Sequence, residues 1–284
     1  MKSVLLLGQS NMAGRGFLED VLPIVSEKIY MLRNGRFQMM AEPLHNDRPN
    51  AGIGLGPAFA LAWSKDHPDE TIGLIPCAEG GSSIDEWLPG TPLFRHAVSE
   101  AKFAQESSEI IAVLWHQGEN DSADDKYRDY GQKLEQIVTA LREELDLEEI
   151  PFLVGCLPDF LGKFGYGLYS PQYEKINDEL MKFAETHKNC ACVPAHGLSC
   201  NPDGIHMDAK SQRAFGLRYY YVYGNFINPM VSKAVAEKAI ARILSKPRSM
   251  KEQYFANELD AIHGKISQEE LQKRQSELLK AQAA

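Results

Sequence analysis

The sequence predicts an α/β protein in which a parallel sheet is covered by helices on both faces. Short apolar runs recur along the 284-residue chain, each rich in Val, Ile and Leu and bounded by turn residues, as strands buried on both faces read. Stretches of helical period separate these runs. Polar clusters follow directly after several of them, at the carboxyl edge where open α/β sheets bind ligands.

In chain order, strands are expected at residues 4–7, 72–76, 110–115, 151–156 and 190–193, and helices at 54–63, 93–105, 124–145 and 173–187. A closing helix is expected at 209–222. Between the first strand and the first helix, residues 29–32 and 36–39 flank Asn34-Gly35, a pair suited to a two-residue hairpin turn. Beyond Asn228-Pro229 the composition changes. An amphipathic helix over 230–244 is broken at Lys246-Pro247-Arg248, and Ser267 with Glu270 reads as a capping box that opens a charged helix. The chain thus divides into a main α/β domain, residues 1–228, and a C-terminal helical extension, residues 229–284. The extension is expected to pack on the core, and it also offers a surface through which copies of the chain could form a homo-oligomer.

Composition narrows the function. The hydrophobic share of 44% suffices for a real core, and a net charge of −9 without any Lys/Arg run argues against nucleic-acid binding. A small or neutral substrate is expected. No apolar stretch reaches the roughly 18 residues of a membrane span, and the opening MKSVLLLGQS has no small-residue cleavage site, so a cytoplasmic location is expected. The five cysteines are odd in number and lie in or beside apolar runs, as buried thiols do. A metal site from Cys190, Cys192, Cys200 and His196 is disfavoured because structural zinc knuckles prefer a wider first spacing.

Chemistry enters at Ser10, in a turn straight after the first strand. A serine hydroxyl is a poor nucleophile until a base accepts its proton. His206 is the leading base, and Asp203, three residues earlier on a loop containing Gly204, can orient its ring. Acyl transfer also needs donors aimed at the developing oxyanion. The expected set is the Ser10 N–H, the N–H of Gly80 or Gly81, and the side-chain amide of Gln117 just after the strand at 110–115.

Four blocks carry a family resemblance: GQSNMAGRG at 8–16, CAEGGSSIDEW at 77–87, WHQGENDS at 115–122 and DGIHMDAKSQRAFG at 203–216. With these in order, the chain resembles the GDSL-like or SGNH hydrolase superfamily, and within it the sialate O-acetylesterase and carbohydrate acetylesterase (acetylxylan esterase-like) branch. The resemblance implies a three-layer αβα, flavodoxin-like parallel sheet (the SGNH hydrolase fold), no metal and no organic cofactor, and deacetylation through an acetyl-serine. By motif it makes Ser10 the nucleophile, His206 the base and Asp203 the orienting acid, with Glu119 of the Gln-Gly-Glu block as the competing acid.

Other residues belong by neighbourhood. Asn11 is expected to brace the nucleophile turn, and Arg15 to reach a substrate carboxylate or bond to its own loop. Asp85, Trp87 and Trp115 could form a sugar-facing wall, Trp87 being the better placed of the two tryptophans. His116 reads as a satisfied histidine at a strand end. The function expected is a serine esterase that removes O-acetyl groups from a carbohydrate or sialic-acid-like molecule, taking a small-molecule or oligosaccharide acetyl ester. The alternatives are a short-chain acyl esterase or thioesterase, and a carbohydrate-binding protein without turnover.

Overall fold

A computed structural model describes residues 1–225 and 229–283, the side chains of 282 and 283 excepted. The expected domain boundary at Asn228 falls outside the described residues. Seven strands form one sheet: β1 (Lys2–Gly8), β2 (Ile29–Arg33), β3 (Arg36–Met39), β4 (Ile72–Pro76), β5 (Glu109–His116), β6 (Phe152–Gly155) and β7 (Cys190–Val193). Their spatial order is β3-β2-β4-β1-β5-β6-β7, and every pairing is parallel except β2 with β3. The hairpin closes at Arg33 opposite Arg36, with Asn34 and Gly35 both at positive φ as a type I′ turn demands. It belongs to the main sheet through β2, which runs parallel to β4.

A short helix not expected from the periodicity, α1 (Ser10–Ala13), forms where a turn is expected; the others lie where the periodicity puts them, with starts displaced by three residues at most: α2 (Gly56–Asp66), α3 (Pro92–Gln105), α4 (Tyr127–Leu145), α5 (Tyr173–Thr186) and α6 (Ala209–Tyr223). Helices α2 and α6 pack on one another over one face of the sheet, and α3, α4 and α5 succeed one another on the other. Val4, Leu5, Leu6 and Leu7 of β1 are fully buried between these layers, each stabilising the fold by about 1.5–3 kcal/mol. Helix α6 is buried along most of its length, polar residues included. Its Arg213 forks onto the Glu42 carboxylate with two bonds of 2.6 Å, and Arg218 donates to the carbonyls of Val231, Pro194 and His196.

The extension forms three helices, α7 (Lys233–Leu244), α8 (Met250–Ile262) and α9 (Gln268–Ala283). Helix α7 starts at Lys233 because Ser232 caps it, and it docks against α2 and α6 through buried Ala236 and Ile240. Helix α8 opens on a capping box of Ser249 and Glu252; Glu252 also accepts the Glu27 N–H of the core. No helix among the described residues is long and apolar enough to cross a membrane.

Candidate active site

Strand β1 is the switch point of the sheet: the chain first builds β2, β3 and β4 on one side of it, then crosses to build β5, β6 and β7 on the other. The crevice at the carboxyl ends of such strands is where ligands of open α/β sheets bind. Glycine ends β1 for a steric reason. Gly8 sits at φ +135, and a side-chain carbon there would fall 2.0 Å from the His116 carbonyl at the end of β5. Ser10 follows as the first residue of α1, so its N–H has no partner in the preceding turn.

The two neighbours of Ser10 tie the other loops to it. Gln9 Oε1 accepts from the Gln117 side-chain amide (3.1 Å) and from the backbone N–H groups of Gly118 and Asn120. Asn11 Nδ2 donates to the Ile205 carbonyl (3.0 Å), while its Oδ1 accepts the Met207 N–H (2.8 Å). His206, between these two, is therefore gripped through both chain neighbours. Its Nδ1 lies 2.8 Å from Asp203 Oδ2, and Asp203 Oδ1 accepts the N–H groups of Ile205 and His206 at 3.0 Å each. Burial alone would raise the Asp203 carboxyl, but the His206 N–H, the His206 ring and the Ile205 N–H outweigh it and hold the group below the ordinary range.

Glu119 lines the same cleft as His206 but has different partners. Its buried Oε1 accepts Asn11 Nδ2 at 2.5 Å, and His116 Nε2 stands 3.3 Å from the same oxygen without the alignment of a hydrogen bond. Burial would raise this carboxyl too, but the His116 charge, with the His116 and Asn11 contacts, brings it below its usual value. The carboxylate against the His206 ring is thus that of Asp203, and Glu119 supports Asn11 from beneath. His116 is completely buried, with Nδ1 3.2 Å from the Gly155 carbonyl.

Several expected contacts are not made. Gln117 is fully buried and its Nε2 is taken by Gln9 Oε1, the Ser82 carbonyl and Asp121 Oδ2, so no N–H remains to point at Ser10. The Gly80 N–H is likewise taken, by Asp47 Oδ2 at 2.9 Å. Gly81, at φ +79, has an N–H with no protein acceptor among the described residues, and it lines the cleft. Asn120 stands at the cleft beside it, its Nδ2 donating 2.8 Å to the Gly81 carbonyl, which leaves the other amide hydrogen free. It is the functional candidate the sequence argument passes over. The signal was its place in the same Gln-Gly-Glu-Asn-Asp cluster after a strand.

Asn11 and Arg15 make structural contacts of the kind expected of them beside ligand binding, whereas the sugar-facing wall of Asp85, Trp87 and Trp115 is not formed. Asn11 is wholly buried and serves the loops, so it does not touch a ligand. Arg15 is buried and committed to Asp47 and the Gly14 carbonyl. Asp85 is exposed and pairs with Lys133 at 2.7 Å on the outer surface. Trp87 is buried, donates to Ser82 Oγ and meets Trp115 edge to face, so both tryptophans are core. The aromatic wall comes from Tyr166 and Tyr169, on a 3-10 turn (Gly165–Tyr169) with no strand or helix period to announce it. Together with Ser10, His206, Gly81 and Asn120 they line a cleft of about 560 Å³. Among the described residues no group of three or more His, Cys, Asp or Glu side chains could hold a metal ion. The sulfur of Cys192 faces Cys156 at 2.9 Å.

A profile of carbohydrate esterases described as sialic acid-specific acetylesterases matches residues 1–225. A probable carbohydrate esterase of Arabidopsis thaliana is 30% identical over 241 residues, 77% of this chain and 88% of that protein. A crystal structure of an Arabidopsis thaliana protein superimposes with a TM-score of 0.70 at 30% identity, covering 80% of this chain and 99% of the other. NanS (TM-score 0.65, 18% identity, 79% and 97% covered) and a carbohydrate acetylesterase from Xanthomonas citri (0.56, 16%, 79% and 57%) share the fold. From the matched profile and the Arabidopsis relative together, the chain belongs to the carbohydrate esterase family of sialic acid-specific acetylesterases.

Proposed function

We propose that the protein is a serine esterase that releases acetate from O-acetylated carbohydrates through an acetyl-serine. The observation that supports this most is the grip of Asn11 on the peptide groups either side of His206, which ties the base loop to the residue after the nucleophile. In this reading Ser10 Oγ attacks the acetyl carbonyl as His206 takes its proton, and Asp203 stabilises the imidazolium. The tetrahedral oxyanion receives the N–H groups of Ser10 and Gly81 and the free amide hydrogen of Asn120, in place of Gln117. Collapse expels the sugar alcohol, which takes the proton from His206. Water, activated by the same ring, then frees acetate and restores Ser10.

Residues 1–225 are the catalytic unit in this proposal, and the extension braces α2 and α6. The test is treatment with a serine-directed phosphonylating reagent followed by peptide mapping, together with acetate release from acetylated sugars. Label at Ser10, and loss of both label and acetate in Ser10→Ala, are the expected results. A protein that binds sugars yet takes no label and releases no acetate would overturn the reading in favour of a silent binding protein.

A further inference from the structure

The segment between β6 and α5 leaves four large apolar side chains in solvent within six residues: Phe164, Tyr166, Leu168 and Tyr169 are 46, 64, 56 and 74% exposed. Scattered exposed apolar residues are ordinary, but a contiguous patch marks a binding surface. Tyr166 and Tyr169 line the same cleft as Ser10 and His206.

The backbone beneath these rings is held tightly. The Tyr166 N–H donates to the Asp203 carbonyl at 2.8 Å, and Ser170 Oγ donates to the Glu119 carbonyl at 2.8 Å. Three glycines cross back to back: a side-chain carbon at Gly165 would fall 2.3 Å from the Asp203 carbonyl oxygen, one at Gly167 2.3 Å from that of Gly204, and one at Gly204 2.3 Å from that of Phe164. The turn is therefore pinned directly to the loop of Asp203 and His206, while its rings face outward. Rigid rings presented from a fixed backbone bind with little loss of conformational freedom.

We propose that Tyr166 and Tyr169 form a subsite for a second sugar ring, so that the cleft is built for acetylated oligosaccharides or glycosides. This rests on the esterase reading above and adds the substrate class. One face of a pyranose presents only C–H groups, which suit an aromatic face, while its rim hydroxyls remain in water. The Tyr hydroxyls at the ring edges serve the same amphipathic surface.

The test compares acetate release from an O-acetylated monosaccharide with that from the di- and trisaccharide acetylated at the same position. The expected wild-type result is a lower KM on the longer substrates, by about tenfold, which corresponds to about 1.4 kcal/mol. In Tyr166→Ala with Tyr169→Ala the ratio of monosaccharide to oligosaccharide KM should collapse toward one, with kcat on the oligosaccharide held within about twofold. Calorimetry of Ser10→Ala with the unacetylated trisaccharide gives a second reading, binding that the two tyrosine substitutions remove. Equal KM across the series with no trisaccharide binding would overturn the proposal, as would a variant that loses activity only on longer acyl chains. Absence of acetate release from every sugar ester would instead defeat the esterase reading, and trisaccharide binding by Ser10→Ala would still report on the subsite.

Discussion

Asn11 holds His206 by its two peptide neighbours, donating to the Ile205 carbonyl at 3.0 Å and accepting the Met207 N–H at 2.8 Å. The same amide reaches Glu119. Asn11→Ala would leave a buried N–H, a buried carbonyl and a buried carboxylate short of a partner. It should lower the free energy of unfolding by about 2–3 kcal/mol. A base loop loosened by as little as an ångström should cut kcat about a hundredfold. Urea titration and acetate release measure the two effects, and an Asn11→Ala enzyme of normal kcat would remove Asn11 from the argument.

The two carboxylates should separate by readout. Asp203→Asn keeps the shape but favours the wrong tautomer of His206, and should cost on the order of 10⁴-fold in kcat with little change in stability, as loss of a triad acid does. Glu119→Gln should act mainly on stability, because its contacts are with Asn11 and His116. The opposite ranking in kcat would make Glu119 the acid.

Asn120→Ala should lower kcat by about 10²–10³-fold, the cost of losing one oxyanion donor, with the unfolding midpoint unchanged. Gln117→Leu should do the reverse first. It strands the Ser82 carbonyl and leaves Asp121 Oδ2 with the Ile84 N–H alone, and should cost about 1–3 kcal/mol in unfolding. A Gln117→Leu protein of normal stability but impaired kcat would restore Gln117 as the donor.

Acid should destabilise the fold in two stages. Burial pushes the His45 imidazole down to about 4, so the ring stays neutral in the folded protein while the unfolded chain protonates near its ordinary value. Stability from this group is complete above about pH 6.5 and is lost as pH falls towards 4, about 3 kcal/mol in all. Glu119, held below its ordinary range, contributes above the usual carboxylate pKa and loses that contribution as pH falls through its folded value. Unfolding free energies from pH 7 to pH 4 should therefore decline in the wild type and flatten in His45→Gln; equal slopes would contradict the assignment.

Much of the architecture was legible because it follows from local pattern. Strands at the Val/Ile/Leu runs, the turn at Asn34-Gly35 and the proximity of Asp203 to His206 all depend on residues close in sequence. Helix α8 was not expected, although its capping box of Ser249 and Glu252 has the same spacing as the one at Ser267. The site's second rank was harder to read. Gln117 and Asn120 share one loop after β5, and only the path of that loop puts one amide beneath the floor and the other at the mouth. Trp87 follows charged residues in sequence, yet packing against Trp115 takes it into the core. Tyr166 and Tyr169 sit in a turn whose shape depends on the distant Asp203-Gly204 backbone meeting its own, a relation no local period can express.

The crossing of Gly165, Gly167 and Gly204 leaves main chain against main chain, with no room for any other residue type. Ring identity at 166 and 169 is under no such restriction, since those side chains are largely exposed. Under the subsite proposal, descendants of this chain can exchange one glycan preference for another by altering what projects from the turn, while the strut that joins it to the Asp203–His206 loop stays invariant.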